Sequence, residues 1–252
     1  RRQRQMCIRD SGPSSGAGGQ ISVWSDSDGD ATGRIFSNGN LCASTINDCA
    51  AVNNSPQTGG ANIWFGGGAS ANQSDFAPPG GAPSSSSSPG ISFDALGSPI
   101  ITSGGGDISI ASRIAAGTAG VHGQNWAGGG RVDSGVGQIL ISNSSNNTTS
   151  TDIVNGIVIR STGTNDTRFT SSKPTGEAIR VVSSISNTGD RSIPLFVTSG
   201  SVTRKTVFSA TGGGDIYFEG NSSGTGAATY AFDISNATVS ATTGRITLRG
   251  NG

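Results

Sequence analysis

The sequence predicts an all-β protein: a right-handed parallel β-helix with about three short strands per coil and no substantial helix. Three observations predict it. The aliphatic residues are mostly β-branched, with 22 Ile and 13 Val against 5 Leu, and such side chains are stiff at χ1 and suit a pleated surface. Glycine is abundant, at 41 of 252 residues, which supplies turns and weakens any helix. One phrase also recurs, as SGGGDISIAS at 103–112 and TGGGDIYFEG at 211–220, and a recurring phrase in short strands marks a solenoid.

Along the chain, residues 1–17 form a basic N-terminal arm opening on RRQRQMCIRD, read as an exposed fraying terminus. The solenoid is expected over 18–252. Its strands start at weaker copies of the phrase: GGQISVW at 18–24, TGRIFS at 32–37, GGANIWF at 59–65 and PGISFD at 89–94. After GGDISIA at 105–111 come GQILIS at 137–142, NGIVIR at 155–160, GEAIRVV at 176–182, GGDIYFE at 213–219 and TGRITLR at 243–249. Within GDIYFEG the two-residue strand period turns Ile216 and Phe218 inward and Tyr217 and Glu219 outward; in GDISIAS it turns Ile108 and Ile110 inward. Leading isoleucines at Ile35, Ile63 and Ile91, at Ile108 and Ile139, and at Ile216 and Ile246 suggest about 25–30 residues per coil, hence about 8–10 coils. Glycines are expected to supply positive φ at the corners. The stretch 77–90, with its prolines and serine run, is a loop excursion or a linker, because Pro cannot donate to a central ladder.

Residues 130–252 well, and 18–130 loosely, resemble the repeat region of the filamentous haemagglutinin family, the large exoproteins of two-partner secretion. The likeness lies in GDIYFEGNSSGTG, AFDISNATVSATTGRITLRG and GQILISNSS. It implies a secreted, extracellular, cell-surface shaft of adhesive or structural function, without the family's N-terminal secretion domain. Autotransporter passengers share the build.

Charge sets further bounds. The net charge is zero, with 16 basic and 16 acidic residues, so nucleic acid is not an expected partner: phosphate binding needs a concentrated basic face. No apolar run reaches the roughly 18 residues of a membrane span. Cys42 and Cys49 are close enough for a small disulfide loop, with two free thiols as the other reading, and Cys7 is left over.

The search for chemistry assigns no catalytic, cofactor-binding or metal-binding residue, expects no cofactor, and predicts that the protein is not an enzyme. His122 beside Trp126 reads either as a loop histidine with an aromatic plug over the core edge or as a sugar-stacking corner. Asp107, Asp215 and Glu177 precede core strands and read as turn formers. Asp26, Asp28 and Asp30 alternate as in a calcium loop, but the glycine is misplaced and Ser37 stands where the bidentate Glu belongs. The GGG runs lack the GK[ST] of a phosphate loop. Eight N-x-[ST] sequons, from Asn53 to Asn236, follow from composition.

Two functions follow as expectations. The first is a structural or adhesive shaft that self-associates end to end or laterally, or continues in a longer chain, with cell-surface glycans or proteins as further partners. The second is a polysaccharide-binding or polysaccharide-degrading β-helix, with Trp24, Trp64 and Trp126 lining a groove.

Overall fold

The computed structural model describes residues 7–11, 20–25, 35–37, 39–43, 60–67, 82–83, 89–93, 99–114, 122–145, 154–161, 165–187, 191–198, 203–224 and 228–252. Every regular element among them is a strand. The strands stack into three sheets that run along a right-handed parallel β-helix. Each coil visits sheet A, then B, then C. Coil 1 uses Gln20–Ser25, Ile35–Ser37 and Leu41–Cys42; coil 2 uses Asn62–Gly67, Ile91–Phe93 and Ile100–Thr102. Coil 3 uses Ile108–Ile114, His122–Ala127 and Gly130–Asp133, and coil 4 Ile139–Ser145, Val154–Arg160 and Thr167–Ser171. Coil 5 uses Glu177–Ile185, Arg191–Thr198 and Thr206–Ala210. Coil 6 uses Asp215–Ser222, Phe232–Ile234 with Ala228–Thr229, and Ala237–Ala241, and Ile246–Asn251 opens a seventh.

Among the described residues there are thus six complete coils and part of another, fewer than the 8–10 expected. At about 4.8 Å per rung the stack is about 30 Å long. The shortfall has a clear cause. Ile63 pairs with Ile21 and Ile108 in sheet A, whereas Ile35 and Ile91 pair with each other in sheet B. Their 28-residue spacings therefore join different faces of the helix. True coils vary from 30 residues, between Asp215 and Arg245, to 45, between Asn62 and Asp107.

The core is built of in-register columns. In sheet A, Ile21, Ile63, Ile108, Ile139, Ile179, Ile216 and Ile246 form one column. Ile63, Ile108, Ile139, Ile179 and Ile216 are fully buried. Ile108, Ile110, Ile216 and Phe218 point inward as the two-residue period predicts. An aromatic file threads the interior: Phe65 meets Phe93 edge-on at 5.5 Å, and Phe93 stacks on Trp126 at 3.9 Å. Trp126 then meets Phe169 at 5.1 Å, Phe169 stacks on Phe208 at 4.9 Å, and Phe208 meets Phe218 at 4.9 Å. Like rings on successive rungs stack because parallel in-register pairing puts them one strand spacing apart.

Glycines split into two roles. Gly104 and Gly213 turn the chain at φ 65° and 105°. Gly106, Gly137 and Gly244 instead allow rungs to touch: a Cβ on Gly137 would lie 2.1 Å from the Gly106 carbonyl oxygen, and one on Gly244 2.1 Å from that of Gly214. The expectation of corners alone is corrected, since the last glycine of the phrase is a contact point between backbones. Residue 178 in GEAIRVV is an insertion relative to the phrase. Glu177 pairs with Asp215 and Ile179 with Ile216, so Ala178 is absorbed as a bulge.

At the N-terminal end, Cys7–Ser11 within the basic arm lies antiparallel on Gln20–Ser25. In the 77–90 stretch, Ala82 and Pro83 pair with Ser112 and Arg113 of coil 3.

Candidate functional surfaces

The two aspartates of the recurring phrase tie coils together. Asp107 accepts the backbone N–H of Gln138 at 2.7 Å, and its own N–H donates to Asn62 Oδ1 at 2.9 Å. Asp215 accepts the N–H of Arg245 at 2.7 Å and pairs with its guanidinium at 3.2 Å. The Arg245 N–H, then its side chain, hold the Asp215 carboxyl below the usual carboxylate range. Asn40 and Asp166 do the same in sheet C, accepting from the N–H of Ile100 and of Lys205, each at 3.0 Å. The hydroxyl that opens the phrase closes the turn before it. Ser103 donates to the Gly106 carbonyl, and Ser134 to that of Gly137 at 2.7 Å.

Glu177 has a different task. It pairs with Arg180 at 2.7 Å on the outer face of sheet A, and that guanidinium lies 4.5 Å from the Tyr217 ring centre. Arg180 also reaches Glu219 at 3.7 Å, while Tyr217 Oη donates to Glu219 at 2.8 Å and Asn221 Nδ2 at 3.2 Å. The bonds from Asn221 and Tyr217, with Arg249 and Arg180 nearby, hold the Glu219 carboxyl below its ordinary range. A general acid needs the opposite shift. This cluster is a brace between coils 5 and 6.

The three tryptophans do not assemble into one groove. Trp126 is an interior residue, 3% exposed, and its Nε1–H donates to Gln124 Oε1 at 3.2 Å. Its place in the aromatic file corrects both readings of the His122–Trp126 corner: it neither plugs the core edge nor faces a sugar. Trp24 and Trp64 are half-buried and alternate with the inward Val23, Ile63 and Phe65, which places them on the outer face of sheet A. His122 lies in register with Asn155, 3.5 Å from its amide. Burial first, and then the Arg160 charge, push the imidazole down to about 4, so it is neutral at pH 7. Asp26, Asp28, Asp30 and Cys49 lie outside the described residues; Cys42 is disulfide-bonded. Among the described residues no group of three His, Cys, Asp or Glu could hold a metal ion, and no helix is long and apolar enough to cross a membrane.

Two further surfaces stand out, and the first of them escaped the sequence reading. One is a cleft of about 360 Å³ on the sheet C wall, lined by Ile100, Gly130, Arg131, Asn165, Asp166, Arg168 and Arg204. Arg131 and Arg168 stand opposite each other on adjacent rungs, while Val132 and Phe169 beside them face the core. Their only local signal is an arginine at the second place of each short strand. Its meaning depends on stacking 37 residues away in sequence.

The other surface is the C-terminal end. Ile246 and Leu248 continue the core columns of Ile216 and Phe218, yet they are 42% and 56% exposed. Among the described residues Ile246–Asn251 has a strand on one side only. Phe232, Ile234 and Val239 of coil 6 are only partly buried.

The fold and these surfaces define a parallel β-solenoid whose chemistry lies on its walls and ends. Compared with protein-family models, curated proteins and solved structures, the chain matches none.

Proposed function

We propose that this protein is an extracellular structural and adhesive shaft, which is continued by further coils or associates end to end with other copies, and uses its walls for attachment. The observation that carries the reading is the rung Ile246–Asn251, which stands in register for a further strand, of this chain or of another copy. Ile246 and Leu248 are core residues by register and surface residues by exposure. A sheet edge with an apolar rung is a template for another strand. At the other end, sheet A already carries the antiparallel strand Cys7–Ser11. The proposed secreted, cell-surface setting and the filamentous haemagglutinin-like character rest on the repeat phrases and on the bonded state of Cys42.

Sedimentation velocity across a concentration series tests the association. The expected result is a reversible dimer that Leu248→Glu converts to monomer with an unchanged circular dichroism spectrum. A wild-type protein that stays monomeric at the highest concentration overturns the self-association and leaves continuation in further coils as the reading.

A further inference from the structure

We infer that the sheet C cleft is a binding site for an acidic polysaccharide, with carboxylate groups seated on the stacked Arg131–Arg168 pair and on Arg204 beside it. This specifies a ligand for the attachment half of the function above and rests on that half alone, since the cleft is on a side wall and the self-association contact is at an end.

The grouping follows from the coil. Arg131 belongs to coil 3 and Arg168 to coil 4, and they are direct register partners. Arg204 immediately precedes Lys205, whose N–H is latched to Asp166, and so enters the same cleft from coil 5. Arg131 and Arg168 lie one rung of about 4.8 Å apart, and Val207, not Arg204, continues their column in coil 5, so Arg204 stands beside that pair along the strand direction. Three guanidinium groups spread in this way match a chain molecule with several acid groups, whereas a compact single anion would meet only some of them.

The arginines are partly pre-organised. Arg131 is held by Asp133 at 2.6 Å and Arg168 by Asp166 at 2.7 Å. Asp133 is itself fixed by the Gly135 N–H at 2.9 Å. A planar guanidinium held on one edge keeps its other N–H groups for a second carboxylate. Arg204 is half-buried and has no ion pair among the described residues. The cleft thus presents three guanidinium groups to one lining carboxylate.

The remaining polar lining selects among polyanions. The Asp166 carboxylate oxygens are hydrogen-bond acceptors in the cleft lining. Sugar hydroxyls can donate to them. A DNA backbone has no free hydroxyl along its length to donate there. Among the described residues no aromatic side chain lines the cleft, so stacking platforms for bases are missing there too. Carboxylate-bearing sugars satisfy both halves of the lining.

The test is titration calorimetry with an oligouronate of six sugars, its carboxyl-reduced neutral counterpart, inorganic phosphate, and single-stranded DNA of matched charge. Binding of the oligouronate is expected to weaken as salt rises, with no binding of the neutral oligomer. Arg204→Ala should weaken binding about ten-fold, because a charge-assisted hydrogen bond is lost, while the thermal midpoint stays unchanged. Arg204→Lys should recover part of the affinity. Binding of DNA or phosphate as tight as that of the oligouronate overturns the proposal, as does an oligouronate affinity unmoved by Arg204→Ala. Sedimentation of Arg204→Ala should match wild type, so loss of glycan binding and loss of self-association are read separately.

Discussion

Asp215 and Arg245, 30 residues apart, form a two-bond clamp: the Arg245 N–H donates to Asp215 Oδ1 at 2.7 Å, and the Arg245 carbonyl accepts the N–H of Ile216 at 2.8 Å. The same pair of bonds joins Gln138 to Asp107 and Ile108, at 2.7 and 2.8 Å, and Asp107 to Asn62 and Ile63, both at 2.9 Å. Lys205 is clamped by Asp166 and Thr167 at 3.0 and 3.2 Å. The polar residue before the leading apolar residue is therefore a rung-to-rung latch. It needs a side-chain oxygen of this length, whether charged or not, because Asn62 performs the task as Asp107 does.

This predicts a specific ordering at position 107. Asp107→Ala removes the acceptor for the Gln138 N–H and is expected to cost about 1 kcal/mol. Asp107→Asn keeps the acceptor and should cost much less. Urea unfolding of the two variants measures the difference; equal losses would mean that charge, not the bond, is what matters.

Gly137→Ala should be far more harmful than Gly176→Ala. At Gly137 the new methyl meets the Gly106 carbonyl at 2.1 Å, so two rungs must separate, at about 3 kcal/mol. At Gly176 nothing lies within 4 Å and the only penalty is the φ of 70°, worth about 1–2 kcal/mol. Thermal unfolding of both variants should show the larger fall for Gly137→Ala.

Gln124 occupies an inward column between Ile91 and Ile157 and is fully buried. Its amide donates to the carbonyls of Ile110 at 3.1 Å and Ser142 at 2.8 Å, and accepts from Trp126 Nε1–H. Replacing it with the apolar residue its column suggests should therefore destabilise. Gln124→Leu leaves the indole N–H without its acceptor inside the core, at about 1–3 kcal/mol. Denaturant midpoints decide it, and a stabilised variant would refute the account.

Acid should weaken the solenoid in two stages. His122 is held neutral, with its pKa lowered from 6.5 to about 4, so the unfolded chain binds the proton first. Stability is complete above pH 6.5, falls as the pH drops toward 4, and loses up to about 3 kcal/mol at 1.36 kcal/mol per unit. His122→Gln should flatten that stretch of the stability–pH curve. The Asp215 carboxyl is also lowered in the folded chain, so its contribution is present above the ordinary carboxylate value near 4 and disappears at lower pH. Asp215→Asn should remove only that lower step.

Strand-level features were readable from the residues themselves. The alternation in DIYFEG placed Ile216 and Phe218 inside, and the structure buries both completely. Trp126 was harder: it lies in HGQNWA, where only the glycine-rich flank suggested a loop, and its inward position comes from stacking on Phe93. Gln124 gave no apolar signal at all, because its polar atoms are satisfied by carbonyls of another sheet. The pairing of Arg131 with Arg168 could not be seen before the rungs were aligned.

The sequence by itself determined the class: β-branched residues on a two-residue period, glycine before the strand and a side-chain acceptor between them specify a stacked coil. Those features act over a few residues, through sterics and local hydrogen bonds, so they can be read in place. Only the tertiary structure decided which isoleucine stacks on which. Loops between faces vary in length, coils run from 30 to 45 residues, and register is set by burial of whole columns and by latches between coils. The wall surfaces inherit that register, which is why Arg131 and Arg168 become neighbours in the fold while remaining 37 residues apart in the chain.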